Sequence, residues 1–572
     1  MFSPPPRWEQ DYRSCYETVS LVSRRGIGLA PPKRDDMVDT LPRTDQDIDA
    51  EIAALSKRKR IWLLVIASVD VLMVISSMVA LNAALPDIAL QTSATQSQLT
   101  WIVDGYTLAL ACLLLPAGAI GDRYGRRGAL LVGLAIFAVA SLAPVLFDSP
   151  MQIIIARAVA GVGAALIMPA TLSLLTAAFP KSERNKAVGI WAGVAGSGAI
   201  FGFLGTGLLL NYFSWQSIFY MFAGGALLMF VATCTIGSSR DETATPIDWV
   251  GAALIGTAIA VFVLGVVEAP VRGWTDPAVL GCLGAGVVLA GLFAVVQLRR
   301  AHPLLDVRLF RRPDFATGAA GITFLFIANF GFFYVAMQFM QLVMGYSALE
   351  TAFALSPLAF PVLILGGTLP LYLPKVGLRF AVTVGLLLLA TGLFLMRFLE
   401  ADATFLDLMW PMLLAASGIG LCTAPTTSAI MNAVPDEKQG VASAVNDATR
   451  EVGAAVGIAV AGSVLAAVYQ SALAPKLGAL PEQIRDAATD SLAHALAISE
   501  QMGPQGEQLA DFARDAFMQA ADQALFALSA LLVVGAVFVA IWSPGRDGRQ
   551  WAAIRRRRGA DENRSAPAEV AP

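Results

Sequence analysis

Apolar and polar residues follow one another along this chain in long blocks, with no residue-by-residue alternation. Fourteen predominantly apolar stretches begin near Ile61, Thr100, Gly128, Met151, Lys186, Ser217, Ile247, Ala278, Phe315, Leu349, Phe380, Asp407, Val441 and Asp522. Each can supply the run of about 20 residues that a helix needs to cross a hydrocarbon core. In lipid the backbone must satisfy its own hydrogen bonds, so the blocks predict transmembrane helices. Most connectors are short. The exception is a polar stretch over 469–521, which carries Asp486, Asp490, Glu500, Glu507, Asp511 and Asp515. A solvated loop is the simpler account of those acids, and a lure for cations is the alternative.

Lys and Arg in short loops set the orientation of such a chain. One alternating set of loops holds Arg123, Arg126 and Arg127; Lys181, Arg184 and Lys186; Arg240; Arg299, Arg300, Arg308, Arg311 and Arg312; Lys375 and Arg379; and Lys438. The other short loops hold little beyond Arg272. Lys57 to Arg60 precede the first span, and Arg555 to Arg558 follow the last. Both termini are therefore expected on the cytoplasmic side, and the 469–521 loop outside. Residues 1–60 are polar and lack an apolar signal-peptide core, so a disordered cytoplasmic tail is expected there, and Met37 would serve equally as a start. Residues 543–572 are expected to form a second cytoplasmic tail.

Composition agrees with the blocks. Of 572 residues, 56% are hydrophobic and 15% charged, and the mean hydropathy is +0.65. A soluble domain needs more polar surface than this. A formal net charge of −3 gives no reason to expect a nucleic-acid partner. Cys15, Cys112, Cys234, Cys282 and Cys422 form no close pair, and the last four lie in apolar stretches, where they read as small buried hydrophobes. The two histidines, His302 and His494, fall in polar connectors. No metal site is expected, and no nucleophile–base pair supports an enzyme. A phosphate-binding G-x-x-x-x-G-K-[ST] motif is lacking, which argues against ATP-driven pumping.

Several segments carry a resemblance. After the second span comes Gly118-Ala-Ile-Gly-Asp122-Arg123-Tyr-Gly125-Arg126-Arg127. On the basic side, between spans 2 and 3, this resembles the G-x-x-x-D-R-x-G-R-R loop of the major facilitator superfamily. Gly118 and Gly125 would permit a close approach and a tight turn. Asp122 would sit at a helix N-terminus or pair with an arginine, so the cluster could latch two halves together. Its arginines could instead only fix topology. Span 4 reads Arg157-Ala-Val-Ala-Gly161-Val-Gly163-Ala-Ala-Leu-Ile-Met-Pro169, similar to R-x-x-Q-G-x-x-x-A-x-x-x-P with Ala160 where glutamine is usual. In the family this arginine is linked to proton transfer. Inside a span it would cost about 2.5–3.5 kcal/mol on insertion scales, so a polar cavity or a partner is expected beside it. Span 5 is dense in glycine, and Gly198, Gly202 and Gly207 resemble the packing positions of the antiporter motif. Phe203 stands where the family has proline, and Thr206 where it has glycine.

Asp248-Trp249-Val-Gly251, His302-Pro303-Leu304-Leu305, Gly345-Tyr346-Ser347 and Trp101-Ile-Val-Asp104-Gly-Tyr106-Thr107 resemble the fourteen-helix drug:proton antiporters, closest to pumps for quaternary ammonium compounds, dyes and methyl viologen. The likeness runs from about Ile61 to Trp542. It implies an all-α major facilitator fold: a six-helix bundle over 61–237, two linker helices over 247–298 and a second bundle over 315–542, with inverted repeats about a central cavity. Pro374-Lys375-Val-Gly377-Leu-Arg379 reads as a degenerate echo of the span 2–3 loop.

A proton-driven pump needs a carboxylate whose protonation its surroundings can change. Asp104 matches a family position near the outer end of span 2; an exposed rim acid is the alternative. The pattern L-D-x-T-I-V-N-V-A-L-P, ending here at Pro86, puts Ser77 at the family's aspartate while Asn82 matches. Asp70 lies seven residues earlier, on the same face and about 10 Å away. It could take over the missing charge, or sit near the interface beside Lys57–Arg60. Asn446, Asp447, Arg450 and Glu451 in span 13 are spaced for intrahelical pairing and read as a structural cluster at the cytoplasmic entrance, with a coupling role as alternative. Glu268 reads as a solvated helix end. Phe330, Phe333, Tyr334, Met337 and Gln341 in span 9, with Tyr106, could line a cavity for flat cations, or simply pack.

The resemblance thus implies export of amphipathic, cationic compounds in exchange for protons across a bacterial inner membrane. No cofactor is expected beyond the proton gradient, and the expected partners are lipid, substrate and protons, with the chain a monomer. Exporting an endogenous metabolite, antibiotic or lipid is the second reading. The departures at Ser77, Phe203 and Ala160 leave a transport-dead sensor as a third.

Overall fold

The computed structural model describes residues 56–546 except 82–83, 93, 95, 147–148, 238–245, 400–402, 479–480 and 504–505. The expectations placed on 1–55, Asn82, Arg240 and Arg555–Arg558 lie outside the described residues. The described residues form helices joined by turns, with no strand among them. Among them, fourteen helices are long and apolar enough to cross a membrane. They are α1 (Lys57–Ala80), α2 (Gln96–Tyr124), α3 (Arg126–Leu146), α4 (Pro150–Ala178), α5 (Lys181–Tyr212), α6 (Gln216–Thr233), α7 (Trp249–Arg272), α8 (Pro277–Arg299), α9 (Pro313–Gln338), α10 (Leu349–Gly367), α11 (Leu369–Met396), α12 (Phe405–Asn432), α13 (Gln439–Leu473) and α14 (Glu507–Trp542).

Local chemistry marks several ends. Asp248 accepts from the Gly251 amide and Asp276 from those of Ala278 and Val279, capping α7 and α8. Ser347 and Glu350 close a capping box at the start of the tenth span. Gly377 takes φ 78° and breaks the run Leu369–Met396, so its first turns complete the tenth span and the eleventh starts beyond that glycine. The sequence expectation near Phe380 agrees with this break.

Two turns repeat one design. Gly125, between α2 and α3, has φ 111° and Gly377 has φ 78°, a region costly for any residue with a Cβ. Two residues after each glycine an arginine reaches the chain just past the last helix of its half. Arg127 donates to the Cys234 carbonyl at 2.8 Å, after α6. Arg379 donates to the Ser543 carbonyl at 2.8 and 2.6 Å, after α14. The degenerate echo in the sequence is thus a structural repeat.

One hydrophobic core is drawn mainly from α1–α6 and a second mainly from α9–α14. Across the seam between them α2 packs on α13, and α5 packs on α10 and α12. The linker helix α7 lies against both α2 and α13, and α8 packs on α7. The 469–521 stretch is not the solvated loop expected. Short helices form at Glu482–Asp490 and Leu492–Met502, and α14 already begins at Glu507. Leu477, Ala488, Leu492 and Ala495 join Leu509 and Phe517 in the second core, and Tyr469 Oη donates to the Ala488 carbonyl at 3.1 Å. The acids lowered the segment's mean hydropathy and masked an apolar helical face beneath them.

Candidate functional site

The loop after α2 is a latch between the halves. Asp122 accepts from the backbone amides of Gly440 and Val441 at 2.9 and 3.1 Å, at the N-terminus of α13. It also accepts from Arg126 Nε and Nη2 at 3.0 and 2.9 Å. Arg126 Nη2 reaches the Asp436 carbonyl at 2.9 Å, and Arg184 pairs with the Asp436 carboxylate at 2.9 Å. Asn432 and Asn185 join α12 to α5 at 3.1 Å. Gly118 must be small: a Cβ there would lie 2.9 Å from Ala444 Cβ. Arg123 stands beside the Tyr124 ring at the rim. With α2 tied to α13 and α5 to α12, this face of the seam is closed. Arg184, Asp436 and Asn185 were missed as latch members because a loop charge looks the same whether it sets topology or crosses a seam.

Inside the first bundle, Arg157 of α4 is buried. Its Nη1 donates to Ser77 Oγ at 2.9 Å, its Nη2 to the Ser77 carbonyl at 3.0 Å and its Nε to the Ile102 carbonyl at 3.2 Å. Its guanidinium carbon lies 4.2 Å from the centroid of the Tyr106 ring. Among the described residues no carboxylate pairs with it. Tyr106 is itself buried, donates to the Val74 carbonyl at 3.0 Å and meets Phe137 edge-on. The structure therefore places Tyr106 in the first bundle's interior, apart from the α9 residues it was grouped with.

Asp70 shares the α1 face of Val74 and Ser77, by helical spacing. It is 0% exposed, and neither carboxylate oxygen has a hydrogen-bond partner. The interfacial alternative fails, since Arg60 of the basic cluster pairs with Glu183 at 3.2 Å instead. An ionised carboxylate without partners in such a place is very costly. Asp104 is half-buried near the far end of α2. Two residues from Ile102 and Tyr106 is 200° around the helix, so it faces away from Arg157. Its electrostatic neighbour is Glu268 of α7, which itself pairs with Arg272 at 2.7 Å.

The glycines of α5 hold α1 and α10 close. A Cβ at Gly198 would lie 2.8 Å from Ile75 Cβ, one at Gly202 2.8 Å from Ser76 Cα, and one at Gly207 3.1 Å from Leu349 Cα. The packing expected of this motif is present even with Phe203 and Thr206 in it.

The α13 cluster is deeply buried: Asn446 and Asp447 are 0% exposed, Arg450 1% and Glu451 8%. The intrahelical ion pairs that the spacing allowed do not form among these residues. Instead Arg450 Nη2 donates to Thr427 Oγ1 at 2.9 Å, and the guanidinium lies 5.3 Å from the rings of Trp191 on α5 and Phe326 on α9. Arg450 Nε and Nη1 and Asp447 Oδ2 have no hydrogen-bond partner. A buried cluster with open donors and acceptors is built for water, a proton or a ligand. It spans the seam, where an entrance cluster had been expected. Trp191 had no motif to mark it.

On α9, Phe330 stacks on Phe326 at 5.8 Å, and the buried Phe333 touches Phe332. A Cβ built on Gly462 of α13 would lie 3.5 Å from the Tyr334 ring, so the ring packs on that glycine. Phe326 and Met337 touch both hydrophobic cores, so this face lines the seam between the halves. Gln341 falls in a π-helical turn, Phe339–Val343, where helix geometry loosens.

Comparison with known proteins decides the family. The model of the Major Facilitator Superfamily matches residues 69–458. The chain belongs to this superfamily. This facilitator is 33% identical to the Multidrug resistance protein Stp of Mycobacterium tuberculosis, over 75% of the chain and 80% of that relative. It is 33% identical to the Multidrug efflux pump LfrA of Mycolicibacterium smegmatis, over 84% and 96%. It is 31% identical to the Methyl viologen resistance protein SmvA of Salmonella typhimurium, over 80% and 93%. The proton:xylose symporter XylE shares its fold, with a TM-score of 0.55 at 13% identity, covering 86% of this chain and 98% of XylE.

Proposed function

We propose that this multi-pass facilitator is a secondary active exporter of amphipathic, cationic drugs or dyes, moving them out across a bacterial cytoplasmic membrane in exchange for protons. The carrying observation is a pair of enclosed carboxylates: Asp70 in one bundle, with no hydrogen-bond partner on either oxygen, and Asp447 in the other, with one oxygen on Asn446 and the other open. A carboxylate that is neutral when enclosed and charged when wet carries one proton per cycle. It attracts an organic cation only in its charged form, so proton and cation exclude each other. The aromatic face of Phe326, Phe330 and Tyr334 gives a flat cation a stacking surface at the seam. Relatives named for multidrug and methyl viologen resistance support the cargo class. In this reading both termini are cytoplasmic, the latch faces the cytoplasm, one subunit suffices, and the proton gradient is the only energy source.

The test is efflux from pump-deficient cells loaded with ethidium or methyl viologen. Expression should speed loss of the compound, and a protonophore should stop it. Normal membrane insertion with no export of any cation would sink the cationic-drug reading and leave an endogenous product as the cargo.

A further inference from the structure

The second bundle contains a recess, at the end away from the latch, that the transport reading does not use. It offers about 420 Å3 of empty space, part of it open to the surroundings, among Phe332, Val335 and Phe339 of α9, Leu408 of α12, and Met518 and Leu525 of α14. At its mouth Arg397, just after α11, donates to both oxygens of Asp522 on α14, at 2.7 and 3.1 Å. The guanidinium lies 5.0, 5.3 and 5.8 Å from the rings of Phe526, Phe394 and Phe398. These rings are 44, 37 and 67% exposed, and Leu406 and Trp410 near the start of α12 are exposed too. On a membrane-spanning body, large exposed apolar side chains face lipid, and aromatic residues gather where the spans leave it. The mouth lies in that zone, since α11 ends at Met396 and α12 starts at Phe405.

We propose that the recess binds a zwitterionic phospholipid from the adjoining leaflet, with an acyl chain in the apolar cavity, the phosphate on Arg397 and the ammonium on Asp522. The walls are apolar and suit a hydrocarbon chain. The Arg397 and Asp522 side chains are 24% and 28% exposed, and a partly solvated pair of this kind opens at small cost. A headgroup carrying both charges then satisfies both residues through charge-assisted hydrogen bonds. An anionic lipid could place its phosphate on Arg397 but would offer Asp522 no cation. An organic cation would leave Arg397 unpaired. The zwitterion is the ligand that leaves neither charge stranded.

The full-length protein, purified and delipidated, would be titrated with dioleoyl-phosphatidylethanolamine, -phosphatidylglycerol and -phosphatidylcholine, with bound lipid counted by native mass spectrometry. Phosphatidylethanolamine should bind about tenfold more tightly than phosphatidylglycerol, for the value of one charge-assisted contact. Phosphatidylcholine, whose ammonium has no N–H, should fall between them. Arg397→Met and Asp522→Asn should each remove the headgroup preference, and Ala521→Trp, which fills the cavity, should remove the site. Monodispersity and thermal unfolding would confirm that the filled variant is folded, with Val335→Trp as its replacement if it is not. Equal binding by wild type and a folded filled variant overturns the proposal, as does binding indifferent to headgroup. Displacement of lipid by tetraphenylphosphonium that depends on Asp522 would overturn it in favour of a second site for organic cations.

Discussion

Both terminal nitrogens of Arg157 point at one residue, Ser77: Nη1 donates to its hydroxyl at 2.9 Å and Nη2 to its carbonyl at 3.0 Å. Ser77 is the position at which the family resemblance implies an aspartate. Here the charge of Arg157 rests on neutral oxygens and the Tyr106 ring. The enclosed carboxylate without a hydrogen-bond partner in this bundle is Asp70, on the same face of α1 and about two helical turns away. A relocated acid makes a specific expectation. Asp70→Asn should reduce proton-driven ethidium export at least about tenfold, because the amide can neither take up nor release the coupling proton. The double variant Asp70→Asn/Ser77→Asp should recover a large part of it, because the new carboxylate meets Arg157 in place. Normal export by the single variant, measured at matched membrane abundance, would show that Asp70 does no transport work.

Arg157 itself should not tolerate lysine. Its three nitrogens engage two residues while its plane stacks on Tyr106. An ammonium has neither the fork nor the flat face. Arg157→Lys is expected to lower the melting temperature of the purified protein by several degrees and to slow export about tenfold, corresponding to roughly 1.5–3 kcal/mol of lost charged hydrogen bonding. Retained stability with retained export would reduce this arrangement to a packing accident.

How much of this was legible differs by residue. The fourteen spans were readable because twenty apolar residues in a row admit few other structures in water or lipid. The Gly125 turn was readable as a motif, and its repeat at Gly377 survived as spacing: glycine, one residue, arginine. The seam was not readable. Nothing in the chain says that Arg450 will meet Trp191 rather than Glu451, since helical spacing reports which residues can pair within a helix and is silent about which neighbour arrives. Polar segments concealed structure for a related reason. Averaged over 469–521 the acids dominate, while Leu492, Ala495 and Leu509, which hold that region to the second core, are too sparse to raise the mean.

The latch can be tested by conformation without measuring transport. Asp122 concentrates two backbone amides and two arginine nitrogens on one carboxylate at the start of α13, where the helix dipole favours a negative charge. Asp122→Asn keeps the shape and removes the charge. A cysteine placed at Ser443, now 0% exposed, should react with a maleimide at least about tenfold faster in that background, the equivalent of about 1.4 kcal/mol taken from the closed form. No change in labelling would mean that other contacts hold this face shut.

The glycines of α5 offer a paired comparison. A side chain at Gly202 would meet Ser76 Cα at 2.8 Å, whereas one at Gly224 of α6 meets nothing within 4 Å. Gly202→Val should destabilise the protein by roughly 1–3 kcal/mol through overpacking and lower its melting temperature, while Gly224→Val leaves both stability and export near wild type. Equal melting temperatures would show that α1 and α5 can separate freely in this state.

The last test concerns whether the α13 cluster is a single electrostatic unit. Arg450 has two nitrogens without hydrogen-bond partners, and Asp447 has one such oxygen, although both are enclosed between the halves. If their charges offset each other through the low-dielectric interior, removing one should strand the other. Breaking a buried charge arrangement from one side costs about 3–5 kcal/mol, whereas removing both sides is far milder. Arg450→Met alone should therefore lower the melting temperature strongly, or drive Asp447 and Glu451 to take up protons and abolish the dependence of dye export on the proton gradient. Adding Asp447→Asn to it should restore stability, giving a coupling energy of roughly 1–3 kcal/mol in a double-mutant cycle. Additive losses in melting temperature would instead make Arg450 a clamp on Trp191, Phe326 and Thr427 alone, with the nearby acids working independently of it.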